Sequence, residues 1–298
     1  MKRLLSLMLM MALPGVALGQ SDGPELETIL QRVRARVTQH YLDLKSLAWS
    51  DTAKSEVLKG DQTPKEKPRT LVYDAIIRLQ EPASDDHGIP FYIRPAGELL
   101  TIDGKPAKKN EKPKPTDPQV GSPGSLLFLL LTDSRADRYG FSYGGITELD
   151  GRKALRIGLT MAQIAPPRVT WNDSFVFFGF RYGFQVSGVH WNKGSIWVDP
   201  ETYDVLQIEW SSDPFEFQRN LPMRGSQKIR FEQGMKARFE PMTFAGPEQT
   251  LVVPVSFENT TTITKEDGVT IYRGTHGFTD YKRFTGDAKV IASEGPAK

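Results

Sequence analysis

The stretch GSIWVDPETYDVLQIEW, Gly194 to Trp210, decides how the chain is read. Two runs rich in β-formers flank Asp199-Pro200-Glu201-Thr202, so the segment reads as a hairpin that carries two tryptophans. Asp at the first turn position and Pro at the second favour a type I turn on steric and side-chain grounds, which accounts for Asp199 and Glu201 without any catalytic role. Two registers are open. If residues 199 to 202 form the loop, Val198 faces Tyr203 and Ile196 faces Val205. If the loop also takes in Tyr203, Ile196 pairs with Leu206. Ile196, Val198, Leu206, Ile208 and Trp210 then share one face, and Ser195, Trp197, Gln207 and Glu209 share the other. A slip of one residue moves every side chain across the sheet. The second register separates apolar from polar residues and is preferred, and it leaves Trp197 on the wetter face.

Outward from the hairpin, β patterning dominates. LAWSDTAKSEVL, RTLVYDAIIRLQ and IPFYIRPAGELLTIDGKPA read as strands, with a two-residue turn at Asp103-Gly104. Asp150-Gly151 marks a hairpin between FSYGGITEL and RKALRIGLTM, and Asp267-Gly268 turns the last two strands of TLVVPVSFENTTTITKEDGVTIYRGTHGFTDYKRF. Near the N-terminus, Leu26, Ile29, Leu30, Val33, Val37, Tyr41 and Leu44 recur at helical spacing behind Pro24, Glu25 and Glu27. They predict an amphipathic helix of about five turns laid on a sheet. A second, short helix is expected from Ser125 to about Arg138. Residues 107 to 125 are rich in Lys, Pro and Gly and read as a flexible loop, and the polar segment 287 to 298 reads as a tail. Strands joined by short turns pair antiparallel. The fold class is therefore mainly β (α+β): a large curved antiparallel sheet or half-open β-barrel, with an N-terminal amphipathic helix and a short inserted helix. One β-rich domain spans residues 20 to 286.

Composition bounds the function. Lys2 and Arg3, the apolar run Leu4 to Leu13 and the small residues of Ala17-Leu18-Gly19 read as a secretory signal peptide over residues 1 to 19, cleaved before Gln20. No later segment is long and apolar enough to span a bilayer as a helix. The 298 residues hold 38 basic and 36 acidic side chains, and two of the basic ones lie in the signal, so the remaining chain is formally neutral. That removes the electrostatic case for nucleic acid. With no cysteine, a secreted domain has no disulfides and must hold itself by burial. A periplasmic or secreted location is expected.

Motifs for chemistry are missing. His40, His87, His190 and His276 do not fall at metal-ligand spacings, and no nucleophile elbow, Walker loop or dinucleotide fingerprint occurs. No cofactor or metal is expected, and the chain is read as not an enzyme. The dense feature is aromatic. In SFVFFGFRYGFQVSGVHW, Phe178, Phe180, Tyr182 and Phe184 alternate with Gly179, Arg181, Gly183 and Gln185, with a bulge or bend expected near Phe177-Phe178. This set reads either as ordinary core or as the wall of a concave apolar cavity.

The signal peptide, the helix Glu25 to Leu44, the helix inserted between strands and the hairpin GSIWVDPETYDVLQIEW together resemble the periplasmic lipoprotein-carrier (LolA-like) superfamily, with its lipoprotein-sorting and envelope-stress-sensor relatives. The resemblance implies a half-open barrel closed by helices, whose apolar concave face receives acyl chains. On this reading the protein is a non-catalytic periplasmic protein that binds lipid or another apolar ligand. Phe178, Phe180, Tyr182, Phe184, Ile208 and Trp210 are the candidate ligand-binding residues. The alternatives are an envelope interaction or structural module that engages a protein partner without a small ligand, and a hydrolase with dispersed carboxylates.

Overall fold

The computed structural model describes residues 24–44, 46–80, 92–114, 116–121, 139–161, 168–171, 176–177, 180–181, 184–187, 192–221, 225–245, 248–284 and 290–296. The expected signal peptide, the expected helix 125–138, Phe178 and Tyr182 lie outside these residues.

The chain opens with helix α1 (Pro24–Leu44) and continues in strands β1 (Leu47–Lys59), β2 (Arg69–Gln80), β3 (Tyr92–Ile102) and β4 (Lys105–Pro106). After them come β5 (Tyr139–Leu149), β6 (Arg152–Met161), β7 (Arg168–Trp171), β8 (Val176–Phe177), β9 (Phe180–Arg181) and β10 (Phe184–Ser187). The hairpin β11 (Lys193–Val198) and β12 (Val205–Ser211) follows, then β13 (Phe215–Leu221), β14 (Gly225–Phe244), β15 (Gln249–Lys265), β16 (Gly268–Phe284) and β17 (Val290–Pro296). Thirteen strands form one antiparallel sheet along the path β4-β3-β2-β1-β16-β15-β14-β12-β11-β6-β5, with β13 and β17 attached beside it. The end strands β4 and β5 do not pair with one another, so the sheet is open rather than a closed barrel. Mainly β, one large antiparallel sheet and an N-terminal helix: the expected fold class is the observed one.

Local chemistry explains the turns. Asp103 and Gly104 have φ of 49° and 78°, and Asp150 and Gly151 have φ of 50° and 79°. This double left-handed geometry matches the right-handed twist of the flanking strands, and Asp followed by Gly tolerates it. The hairpin β11–β12 differs in detail from the preferred register. Ile196 pairs with Ile208 and Val198 with Val205, and a bulge makes Leu206 the extra residue. The loop is longer than a four-residue turn. Tyr203 adopts φ of 62° and donates its N–H to the Asp199 carbonyl at 3.0 Å, while Asp199 N–H meets the Asp204 carbonyl at 2.9 Å. Asp199 Oδ1 accepts from the N–H groups of Glu201 and Thr202 at 2.8 and 2.9 Å, so its carboxylate serves the turn as the sequence implies. The bulge preserves the separation of faces. Ile196, Val198, Ile208 and Trp210 are buried, and Trp197 is half-buried on the opposite face.

Three segments differ from expectation. Residues Phe215 to Phe244, to which no strand is assigned from sequence, form β13 and the 20-residue β14 at the centre of the sheet. Residues 290 to 296, expected as a polar tail, form β17 against β14 and β16, where backbone pairing replaces the missing apolar content. The loop 107–125 is exposed over its lysine-rich first half, but Asp117, Pro118 and Gly121 are buried. Tyr73 donates to the Pro118 carbonyl at 2.6 Å, and Gly121 N–H donates to Asp51 at 2.8 Å. Those partners tie the second half down against β1 and β2.

One face of the sheet, called the inner face below, carries α1. Leu26, Ile29, Leu30, Val33 and Val37 from the helix join Leu155, Ile157, Ile196, Val198, Ile208 and Trp210 in one core cluster. Burying each such side chain contributes about 1.5–3 kcal/mol. A smaller cluster of Ile229, Phe231 and Ile263 lies along the same strands.

Candidate functional site

Register places the inner-face residues in rows that cross the sheet. In one row Phe141 pairs with Leu159, Leu159 with Gly194, Gly194 with Trp210, Trp210 with Met235, Met235 with Asn259, and Asn259 with Gly274, which pairs with Ser55. The next row runs from Tyr143 through Ile157, Ile196, Ile208, Ala237 and Phe257 to His276 and Ala53. Paired residues point to the same side of a sheet. Both rows are therefore apolar across β5, β6, β11, β12 and β14. Beyond β14 the first turns polar at Asn259 and Ser55, whereas the second keeps Phe257 and Ala53 and meets a polar group at His276.

Ile208 and Trp210, two of the expected ligand-binding residues, sit side by side in these rows and are buried. The Trp210 ring lies 6.2 Å from that of Tyr139. Gly194 seats it: a Cβ there would strike the Glu209 carbonyl and the indole. Of the other four, Phe180 and Phe184 are described: Phe180 lies on β9 and Phe184 on β10, and β9 pairs back on β8 with Phe177 opposite Phe180. The chain thus reverses between Phe177 and Phe180, beside the bend expected near Phe177-Phe178, and β10 pairs with β7.

The polar end of the rows holds groups that sequence reading passes over. Asp51 is fully buried on β1, and its carboxylate lies 3.0 and 3.2 Å from Nδ1 of His276 on β16. Gly121 N–H supplies a further hydrogen bond to Asp51. The His276 ring stacks 5.9 Å from Phe278 and tilts 5.7 Å from Phe257. Burial pushes the Tyr281 phenol well up, reinforced by the Asp51 charge, and burial does the same to Tyr73, with Asp117 and Asp51 adding to it. Both hydroxyls stay protonated and donate to backbone carbonyls, Tyr281 to Pro254 and Tyr73 to Pro118. Asn259 is 2% exposed, and among the described residues its amide nitrogen has no hydrogen-bond partner.

The carboxylate-held histidine invites comparison with a hydrolase. Among the described residues no hydroxyl donates to His276, whose recorded hydrogen bonds both go to Asp51. Among the described residues no cluster of three His, Asp or Glu is placed to hold a metal, and no helix is long and apolar enough to cross a membrane.

The outer face offers a groove of about 650 Å³ bordered by Arg156, Trp197, Ser195, Glu209 and Lys236. Its charges already engage one another. Arg156 lies 5.8 Å over the Trp197 ring and donates to Ser195 Oγ at 3.1 and 3.2 Å, and Lys236 pairs with Glu209 at 3.0 Å. A ligand there must compete with those pairs.

The helix is fastened over the inner face by polar contacts at the β11–β12 loop. Asp204 accepts from Arg36 and lies 3.2 Å from His40 Nε2, and Arg32 stacks 4.9 Å over Tyr203. Burial opposes ionisation of Asp204, but the hydrogen bonds from His40, Arg36 and Thr202 outweigh it and hold its carboxyl well below the usual range.

No protein-family model matches the chain, and no curated protein matches it. Among solved structures it is similar in fold to a putative outer membrane lipoprotein-sorting protein domain from Vibrio parahaemolyticus, at 8% identity over 86% of this chain and 94% of that one, with a TM-score of 0.33. It is also similar to a DUF1329 family protein from Desulfovibrio piger, at 12% identity over 87% and 93% and a TM-score of 0.35. A LolA superfamily protein from Nitrosomonas europaea matches at 10% identity over 88% and 94%, with a TM-score of 0.31.

Proposed function

We propose that the protein is exported to the periplasm and there binds an apolar ligand, a lipid or its acyl chains, against the inner face of the sheet, without catalysing a reaction on it. The observation that carries this reading is the row Phe141, Leu159, Trp210 and Met235. It is a continuous apolar track across five strands of an open sheet, under a helix held by polar contacts at its loop end. Apolar walls with a few convergent polar groups are what ligand cavities present. Phe180 and Phe184, two of the expected ligand residues, are proposed to border the same site, together with Ile208 and Trp210.

The test is native mass spectrometry of protein recovered from the periplasm without detergent, followed by solvent extraction. The reading predicts a mature chain starting at Gln20 and a mass increment that extraction removes as lipid. In the delipidated protein, Phe180→Ala weakens rebinding beyond what its loss of stability explains.

A second reading, docking of another envelope protein, is favoured by a different observation. Trp171 is 43% exposed, lies 6.0 Å from Phe217 and carries Arg219 4.8 Å above its ring. Exposed aromatics with an arginine are common anchors at protein interfaces. Co-purification of a protein without lipid would favour this reading.

A further inference from the structure

Asn259 is an anomaly among the apolar groups around it. A buried amide left without a partner costs the full desolvation of that group, which is why buried amides are nearly always hydrogen-bonded. Asn259 is buried between Met235 on β14 and Gly274 on β16, and among the described residues its amide nitrogen has no partner. Its side chain lies over Gly274, where any Cβ would collide with the amide oxygen. Gly274 therefore leaves room on the inner face, which the Asn259 side chain fills. Ser55 borders it from β1, and His276, two residues along β16, borders it from the direction of Phe257.

Asn259 stands at the polar end of the apolar row, one strand beyond Met235 and two beyond Trp210. An amphiphile laid along that row with its tail over Leu159, Trp210 and Met235 brings its head to Asn259. The charges nearby define that head. Asp51 is already matched with His276, and Arg69, paired with Ser55 in the next strand, is committed to Asp103 and Asp117. Among the described residues bordering Asn259 no cation is placed to neutralise an anionic head, whereas the amide NH2 offers neutral donors.

We infer that Asn259 is the polar anchor of the inner-face site and selects amphiphiles with an uncharged, acceptor-bearing head, such as an acyl ester, over both free carboxylates and bare hydrocarbons. This rests on the apolar-ligand reading above and deepens it.

The experiment uses delipidated full mature protein and three probes of equal chain length: methyl decanoate, decanoate and decane. Each displaces a fluorescent acyl analogue from wild type and from Asn259→Leu, whose side chain has the same branched shape without polar atoms. Wild type is expected to prefer the methyl ester over decane by about tenfold, the worth of one net hydrogen bond, and over decanoate by at least as much. Asn259→Leu abolishes the preference for the ester, leaves decane affinity unchanged, and does not lower the melting temperature of the ligand-free protein, because an unsatisfied buried amide has been removed. Asn259→Ala gives the same ratio test if leucine is not accommodated over Gly274. An ester-to-decane ratio that is the same in wild type and variants overturns this inference while leaving the apolar site standing. Absence of saturable binding of any probe by wild type overturns both.

Discussion

Asp204 and Arg36 form a two-point ion pair between elements 168 residues apart, with Nε to Oδ1 at 2.7 Å and the second guanidinium nitrogen to Oδ2 at 3.1 Å. His40 adds a contact at 3.2 Å to the same carboxylate. The pair joins α1 to the loop of the β11–β12 hairpin, and through it the sequence signals of helix and hairpin become one structure.

Asp204→Asn therefore loosens the helix. The expected loss is about 1–3 kcal/mol at neutral pH, the range for hydrogen bonds to a charged group, read from urea unfolding. The Asp204 carboxyl is held below its ordinary value in the folded state. Its stabilisation is complete above the unfolded-state pKa of about 4, and it is lost as pH falls through the lower folded value. The difference between wild type and Asp204→Asn shrinks in that acid window only. A constant difference down through it would show that the pair does not set the shift.

Leu30 and Val33 lie in the middle of the buried face of α1. Leu30→Asp places an unpaired carboxylate in the core, and a loss of several kcal/mol is expected. A melting temperature equal to wild type would mean that the helix face is not packed in solution.

Much of this architecture is legible in the sequence because its signals are local. The 3.6-residue stripe of α1, the Asp-Gly turns and the Asp-Pro turn each act over a few residues. β14 is not legible in that way. Its outer positions are charged, Gly234 interrupts its alternation, and Pro241 argues against a central strand. The Asp51–His276 contact spans 225 residues, and only the pairing of β1 with β16 brings the two together. The same holds for Asn259 and Gly274, whose meaning comes from facing each other across β15 and β16. Among the expected ligand residues, Ile208 and Trp210 follow from hairpin periodicity, which survives a bulge. Phe180 and Phe184 fall on separate strands, β9 pairing with β8 and β10 with β7, which period-two alternation alone does not distinguish from one strand.

Asp51 should matter more to stability than any exposed carboxylate. Asp51→Ala removes the partner of His276 and of Gly121 N–H together, and about 1–3 kcal/mol is expected for each buried group left unsatisfied. Tyr73→Phe, which removes only the hydrogen bond to Pro118, costs about 1 kcal/mol. Limited proteolysis should cut near residues 117 to 121 faster in both variants, and faster in Asp51→Ala. Equal cleavage in wild type and variants would separate these contacts from the anchoring of the loop.

The central claim, that the inner face binds an apolar ligand, is tested most directly by titrating a fluorescent fatty-acyl analogue into delipidated wild type, Met235→Gln and Trp197→Ala. All three are compared at a temperature where each is folded. Met235 lies on the inner face between Trp210 and Asn259, and Trp197 lies on the outer face. The account predicts saturable binding at one site per chain in wild type, unchanged affinity in Trp197→Ala, and affinity at least about tenfold weaker in Met235→Gln, the effect of about 1.4 kcal/mol. No saturable binding by wild type, or a loss confined to Trp197→Ala, would contradict it.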